Sequence, residues 1–346
     1  MGGEEEKKEK NLGKKYKYKI LIDNFSDAFY NNIIIKLCKE KKMPLKYLPI
    51  HFTCHFDKCV KEETYLPFVL RSVLGYHLRK MCCITKQNQC RSCMFRHQCV
   101  YCVFFETIID KDNTVLPGRD TVSHPFAFTR FNSDTDDNFC VSRFDLTLTL
   151  FGNAVSYLPY IYAALVRAGE SGLFSGRSPF HIDEVSVGNE SILLSESQIR
   201  TDISPFVFDE NADRNIPNKV RIKLISPLRT QVNGKYIKDI TAIDMLNAIY
   251  RRYKTMMSLY GENYHNEEKS PHWDVSFDQT DFHWRNYSRY SARQKQAMKL
   301  CGLVGTCRIT GNITHDIMTL LEFGKIANIG KNTNFGFGMM EYKESE

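Results

Sequence analysis

The C-terminal stretch GKIANIGKNTNFGFGMMEY, residues 324–342, combines four glycines with two lysines and three asparagines. Backbone N–H groups exposed by glycine, with lysines beside them, can form a cradle for phosphate. A nucleotide P-loop is excluded, because five residues separate Gly324 from Gly330 and Asn332 follows Lys331. A helix-like run, residues 315–325, precedes the glycines, and FGFGMMEY, residues 335–342, is predicted to be a strand. This order favours binding of an extended polyanion, and the alternative is a tight turn that closes a sheet.

The totals describe a globular protein of about two domains. The 346 residues are 42% hydrophobic and 25% charged, with a formal charge of +7 that suits a polyanionic partner. No apolar run reaches the roughly 20 residues of a membrane span. The N-terminus lacks an apolar signal core, so we expect a cytoplasmic protein without a membrane partner. Twelve cysteines without an export signal then indicate reduced thiols or metal ligands rather than disulfides.

Two halves of the chain repeat one order of elements. The predicted elements of the first half are strands 45–56, 139–152 and 172–187 and helices 67–83 and 156–170, with one strand not clearly placed and Ser156 as a helix cap. Those of the second half are strands 219–228, 298–311 and 335–342 and helices 239–261 and 315–325. This echo predicts an α+β fold of tandem ferredoxin-like (RRM-like) domains, with a Cys-rich metal-binding insertion and a C-terminal Gly-rich loop.

The predicted boundaries follow from that repeat. They are an N-terminal extension, partly disordered, at 1–43; a first domain at 44–200 with a cysteine loop at 82–102; a linker at 201–218; and a second domain at 219–346. The extension mixes glutamates with lysines, which is typical of disorder, and its role is not predicted.

The cysteine loop has the spacing of a metal site. Cys90, Cys93, Cys99 and Cys102 follow Cys-x2-Cys-x5-Cys-x2-Cys, with Cys82 and Cys83 upstream. Four thiolates in tetrahedral geometry select zinc, which would be structural here. The alternatives are a cluster of buried thiols and an iron–sulfur cluster.

A basic, aromatic segment runs from Trp284 to Arg308. It contains no acidic residue, and its basic members are Arg285, Arg289, Arg293, Lys295, Lys299 and Arg308. Arginines grip phosphates in bidentate fashion, and interleaved rings, here Trp284, Tyr287 and Tyr290, stack unpaired bases. The alternative is a solvated basic face with its aromatic residues in the core. Arg251, Arg252 and Lys254 add charge on the preceding helix, and Arg177 follows a glycine in the first half.

Several stretches in one order carry a family resemblance from about residue 45 to the end. They are PFVLRSVLGYHLRKMCC with the cysteine loop and YCVFFE, KLISPLRTQVNGK with a helix bearing YRRY, HWRNYSRYSARQKQAMKLCGLVG, and the terminal FGFG stretch. Together they resemble the CRISPR-associated pre-crRNA-processing endoribonucleases of the repeat-associated mysterious protein (RAMP) superfamily, in a variant with a four-cysteine metal loop. The family's metal pattern maps onto Cys83, Cys90, Cys93 and Cys99, so either Cys83 or Cys102 is the fourth ligand.

The resemblance implies an endoribonuclease that cuts CRISPR repeat RNA by metal-independent 2′-OH attack, giving crRNA with a 2′,3′-cyclic phosphate, with structural Zn²⁺ and no catalytic cofactor. His77, on the first helix with Tyr76 and Lys80 beside it, is the expected catalytic residue, since histidine transfers protons near neutral pH. A core role is its alternative, and the other candidates are His51, His55, His97 and His283. The expected RNA-binding residues are Arg177, Arg285, Arg289, Arg293, Lys325, Lys331 and Asn334.

Two other functions remain open. The first is a non-catalytic RNA-binding RAMP subunit of a CRISPR effector complex, whose other subunits would be partners. The second is a cysteine–metal nucleic-acid adaptor unrelated to CRISPR. Metallohydrolase and serine-hydrolase motifs are missing from the sequence.

Overall fold

The structure, a computed structural model, describes residues 44–62, 64–87, 89–110, 121–134, 140–232, 234–261, 271–291 and 296–345. The predicted extension at 1–43 lies outside them. In these ranges the α-helices are α1 Leu66–Cys82, α2 Leu158–Ser171, α3 Ala242–Tyr260 and α4 His315–Ala327. The strands are β1 Leu45–Lys61, β2 Phe126–Ser133, β3 Cys140–Phe151, β4 Phe180–Val187, β5 Glu190–Ser191, β6 Leu193–Ser195, β7 Gln198–Ile199, β8 Phe206–Phe208, β9 Lys219–Leu228, β10 Gln231–Val232, β11 Lys235–Tyr236, β12 Val275–Ser291, β13 Gln296–Gly311 and β14 Met340–Ser345.

Two antiparallel sheets organise the chain. The first has the strand order β2-β3-β1-β4-β5, with β8 also paired to β1, and the second has the order β12-β13-β9-β14. In each half the longer elements follow one another as βαββαβ, which is the element order of a ferredoxin-like unit. The predicted mixture of α and β structure is confirmed.

Each sheet is covered by its two helices on one face. Along β1, Phe52, Cys54 and Phe56 are buried at alternate positions, while Leu70 and Leu74 of α1 meet them at helical spacing. Full burial of one such leucine contributes about 1.5–3 kcal/mol. The other face of β1 points away from the helices.

The second core draws residues from both halves. Leu45, Ala127 and Phe151 pack with the helices and strands of residues 219–345. A third, aromatic cluster joins Phe68 of α1 to the C-terminal loop; its other members are Leu300, Phe335 and Phe337, with Tyr65 and Tyr287 at its edge. The two halves therefore share apolar surface.

The observed strands differ from the predicted ones at three places. The strand not clearly placed in the first half is β2, and a second-half strand absent from the prediction, β12, contains the stretch WRNYSRY. The last strand begins at Met340, because Gly336 and Gly338 adopt positive φ angles of 78° and 72° that an extended strand does not allow.

Three smaller expectations also change. Ser156 does not cap α2: it lies in a 3₁₀ turn, and its hydroxyl donates to the Asn153 carbonyl at 2.8 Å. Residues 206–208, inside the predicted linker, form β8 against β1. Cys59 and Cys140, which the sequence predicts as reduced, are joined in a disulfide between the paired strands β1 and β3. Among the described residues, no helix combines the length and apolarity needed to cross a membrane.

Candidate nucleic-acid interface

The Gly-rich loop, residues 328–339, connects α4 to β14 along a path that glycine makes possible. A Cβ on Gly338 would overlap the Ile329 carbonyl oxygen, and one on Gly330 would lie 2.6 Å from the Arg229 carbonyl oxygen. Backbone bonds fix the loop, since Lys331 N donates to the Arg229 carbonyl at 2.8 Å. The Asn328 amide donates to the Phe128 carbonyl of β2 at 2.7 Å. The loop is therefore tied to both halves.

A cavity of about 660 Å³ opens beside this loop. Its walls come from residues 123–124, the β10–β11 hairpin, one face of α3 and loop residues 330–335. Four of the lining residues are permanent cations, namely Arg229, Arg251, Arg252 and Lys331, and among the described residues that line it none is an aspartate or glutamate. Such a cavity attracts anions.

Two of these arginines have N–H groups without partners among the described residues. The buried Nε atoms of Arg229 and Arg252 donate to no protein acceptor there. Burial lowers the pKa of Arg252 to about 10, and its Nη2 donates to the Ala327 carbonyl at 3.4 Å. A buried donor without a partner is costly, so each of these arginines carries an unsatisfied N–H group beside the cavity.

Other contacts hold the cations in place. The Arg229 Nη1 donates to the Asn332 Oδ1 at 3.0 Å, and its guanidinium stacks 3.9 Å from the centre of the Tyr236 ring. The Lys331 Nζ donates to the Gln231 Oε1 at 2.5 Å. These charges are therefore positioned before any ligand arrives.

Asn334 joins the loop to α1. With its amide oxygen turned toward them, it accepts from the Arg71 Nε at 2.9 Å and from the His124 Nε2 at 2.9 Å. Arg71 also lies 4.2 Å above the centre of the Phe335 ring. Burial and then the Arg71 charge lower the pKa of His124 to about 3, so this ring is neutral at pH 7.

The structure brings together only part of the RNA-binding set expected from sequence. Lys331 and Asn334 line the cavity. Lys325 pairs with Glu322 at 2.9 Å, Arg285 donates to the Tyr287 hydroxyl at 3.4 Å on β12, and Arg177 is exposed at a turn of the first half. Arg293 and the Arg289 side chain lie outside the described residues. The RNA-binding roles of all seven stay predictions.

The three residues expected to be catalytic differ in exposure, since one is buried and two are exposed. His77 is 5% exposed, while Tyr76 is 62% exposed and Lys80 is exposed. Burial, followed by the charges of Lys80 and Arg167, lowers the pKa of His77. The ring thus packs where α1 faces α2. Its catalytic role stays a prediction, and so do those of its two neighbours.

The cysteine loop surrounds a second cavity of about 600 Å³, which all five expected ligands line: Cys83, Cys90, Cys93, Cys99 and Cys102. Hydrogen bonds join Cys102 to Cys90 and Cys99, and burial raises the pKa of Cys102. In the described part of the chain, however, no three histidine, cysteine, aspartate or glutamate side chains are placed to hold one ion. The thiols suit zinc by type, but their placement does not fit a bound ion.

Sequence reasoning misses several cavity residues. Arg229 lies within the quoted stretch KLISPLRTQVNGK but is not singled out there, whereas Arg252, within YRRY, is named from sequence as an added cation of the RNA path. An arginine next to a Gly-containing hairpin is a usable signal. No local sequence pattern points to Arg71 or His124, because only the folded chain places them beside the loop.

Two family models match this chain, one in each of its two halves. Residues 222–340 match the family model of the CRISPR-associated endoribonuclease Cas6, and residues 45–206 match a model described as an N-terminal domain. An uncharacterized protein of Archaeoglobus fulgidus is 21% identical over 281 residues, which cover 79% of this chain and 90% of the relative.

The fold is shared with a solved structure. A Cas6 product complex superposes with a TM-score of 0.50 and 11% identity, covering 88% of this chain and 100% of that chain. A Thermus thermophilus Cas6 gives a TM-score of 0.48 and 10% identity, covering 86% and 99%. Residues 222–340 of this protein, which hold the Gly-rich loop and most of the cationic cavity, are the part of the chain that is similar to the Cas6 family model.

Proposed function

We propose that this protein is an endoribonuclease that binds CRISPR repeat RNA and cuts the precursor transcript. The observation that carries the proposal is the cavity beside the Gly-rich loop, within the part of the chain that matches the Cas6 model. Four cations line it, and none of its described lining residues is acidic. Guanidinium groups suit phosphate oxygens. The two βαββαβ halves would act as tandem ferredoxin-like domains, with the cavity holding the RNA backbone between the C-terminal loop and α3.

The reaction we propose is attack of a 2′-OH on the adjacent phosphate. The O2′–P bond forms, the P–O5′ bond breaks, and the products carry a 2′,3′-cyclic phosphate and a 5′-OH. The step needs a group that takes the 2′-OH proton, a group that protonates O5′, and cations that stabilise the phosphorane. The sequence assigns the first role to His77 with help from Tyr76 and Lys80, and this assignment stays a prediction.

The test is cleavage of repeat RNA in EDTA by purified protein. We expect a single cut per repeat, a product ending in a 2′,3′-cyclic phosphate, and no cut when the nucleotide before the cleaved bond is 2′-deoxy. Binding without any cut would instead support the non-catalytic subunit of an effector complex. Cleavage of the 2′-deoxy RNA would overturn the 2′-OH mechanism.

We also propose a structural zinc in the cysteine loop, as the spacing of its thiols favours. Ligand thiolates would have to move together from their positions in the described structure. Elemental analysis should give about one zinc per chain, and Cys90→Ser should impair folding more than chemistry because zinc binding contributes folding energy. Metal-free protein with freely titratable thiols would contradict the proposal.

A further inference from the structure

The face of the first sheet that points away from α1 and α2 carries a row of histidines and aspartates. His51, Thr53 and His55 alternate along β1 with the buried residues that face the helices. His181 and Asp183 lie on β4 beside them. The His55 and His181 rings stack, with centroids 5.2 Å apart and planes inclined by 26°. This pair lies outside the cationic cavity.

Each of the two stacked histidines is held by a carboxylate. The His55 Nδ1 lies 2.6 Å from the Asp183 Oδ1, and the His181 Nε2 lies 3.0 Å from the Asp57 Oδ1. A carboxylate on one ring nitrogen fixes the proton there and leaves the other nitrogen to exchange a proton with a substrate. The nitrogens left for exchange are therefore Nε2 of His55 and Nδ1 of His181.

The register adds a cation to the same row. His55 lies directly opposite Arg143 on β3 and directly opposite His181 on β4. Directly opposed residues of antiparallel strands place their side chains on the same face of the sheet. The row Arg143–His55–His181 thus offers two proton-transfer groups and one guanidinium side by side.

The row is accessible to a large substrate. The side chains of His55 and His181 are 35% and 57% exposed, whereas His77 is 5% exposed. A metal role does not fit, since the described residues hold no group of three ligands placed for one ion. Two carboxylate-held histidines with a cation beside them match the needs of 2′-OH attack.

We propose that His55 and His181 are the acid–base pair of RNA cleavage and that Arg143 binds the reacting phosphate. The inference rests on the proposed function and replaces His77 as the proton-transfer group. One histidine takes the 2′-OH proton as O2′ bonds to phosphorus, and the other gives its proton to O5′ as the P–O5′ bond breaks. One proton is taken and one is given, so no co-reactant is needed.

The first experiment measures single-turnover cleavage of repeat RNA in EDTA by the wild type, His55→Ala, His181→Ala and the double variant. We expect each single variant to lose about 10²–10⁴-fold in rate, with unchanged affinity for RNA that is 2′-deoxy at the cut site. His272→Ala is the control, because His272 is an exposed histidine that lies outside this row and does not line the cationic cavity. It should cut at the wild-type rate.

His55→Gln and His181→Gln guard against loss of fold, since glutamine can bond the aspartate but cannot shuttle the proton. Folded glutamine variants that cut at the wild-type rate would overturn the inference and leave the proposed function standing. So would a rate loss confined to His77→Ala. A wild-type protein that never cuts repeat RNA would overturn both.

The second experiment separates the acid from the base. Sulfur in place of the O5′ leaving oxygen departs without a proton, so it should restore cleavage in the variant that lacks the acid. We expect rescue of one of the two alanine variants and not the other. Rescue of neither variant would overturn the assignment of an acid to this pair.

Discussion

At the scale of single residues, a substitution of Arg252 should change RNA affinity without changing stability. Its buried guanidinium has an Nε without a partner among the described residues. Arg252→Met should keep the free energy of unfolding within about 1 kcal/mol of the wild type, because a desolvated charge is removed together with one weak hydrogen bond. RNA affinity should fall about 10-fold or more, as expected for a lost charge-assisted hydrogen bond.

Urea unfolding and fluorescence anisotropy with repeat RNA measure the two effects. Lys343→Met is the matched control, because Lys343 is exposed on β14 and does not line the cavity. Equal RNA affinity in Arg252→Met and Lys343→Met would exclude the cavity as the phosphate site.

His124 makes stability depend on pH. Its pKa in the folded state is about 3, against about 6.5 in the unfolded chain. Between these values the unfolded state binds more protons, so stability falls as the pH is lowered from 6.5 toward 3. From pH 7 to pH 5 this residue should cost about 2 kcal/mol.

Urea unfolding gives the free energy of unfolding at pH 7 and at pH 5. The loss of this free energy between pH 7 and pH 5 should be about 2 kcal/mol smaller in His124→Gln than in the wild type. His97→Gln, at a half-exposed histidine of the first half, is the control. A pH dependence that is the same in all three proteins would contradict the burial of a neutral His124.

At the scale of elements, the Gly-rich loop depends on the space that glycine leaves. Gly338→Ala should destabilise by more than about 2 kcal/mol and weaken RNA binding, since the new Cβ would overlap the Ile329 carbonyl. Gly234→Ala is a matched control: its φ of 77° resembles the 72° of Gly338, but no atom lies within 4 Å of the place that its Cβ would take. It should cost about 1 kcal/mol from backbone strain alone.

Chemical unfolding of the two alanine variants gives the comparison directly. Equal losses would mean that backbone conformation alone, and not the close approach of Ile329, requires the glycine. Gly234 lies on the hairpin that lines the cavity, so Gly234→Ala is a control for stability and not for RNA binding.

At the scale of the whole molecule, RNA affinity should fall steeply with salt. Each phosphate contact on a single strand contributes about 0.7 to the slope of log K against log salt. Arg229→Gln and Lys331→Gln should each reduce the slope by about that amount, while Arg221→Gln, exposed on β9, should not. Titrations between about 50 and 200 mM salt measure it. An unchanged slope would place the RNA backbone away from the cavity.

The sequence predicts the elements of this fold better than it predicts the site. Apolar periodicity locates α1, α3 and α4, and the repeat of the pattern gives the α+β class. The last strand is misplaced by the sequence pattern because FGFG alternates like a strand, although Gly336 and Gly338 bend the chain.

The site is harder to predict because long-range contacts assemble it. Lys331 and Asn334 are visible beside the glycines, but Arg252 reaches the loop only through the packing of α3 against α4. His181 meets His55 through the pairing of β1 with β4, which no local pattern reveals. The helix position of His77 favours it in the sequence, and the fold buries it.

The aromatic cluster that joins α1 to the C-terminal loop limits which fragments of this protein can fold alone. Tyr65 at the start of α1 lies 4.7 Å from Tyr287 of β12, and Thr64 donates to the Ser288 carbonyl at 2.9 Å. The Cas6 match stops at residue 340, where β14 begins. A fragment limited to residues 222–340 would lose the edge strand β14. It would also expose Phe335 and Phe337 to solvent, because Phe68 of the first half packs against them. Coexpression of both halves, rather than isolation of either, is the route to soluble pieces of this protein.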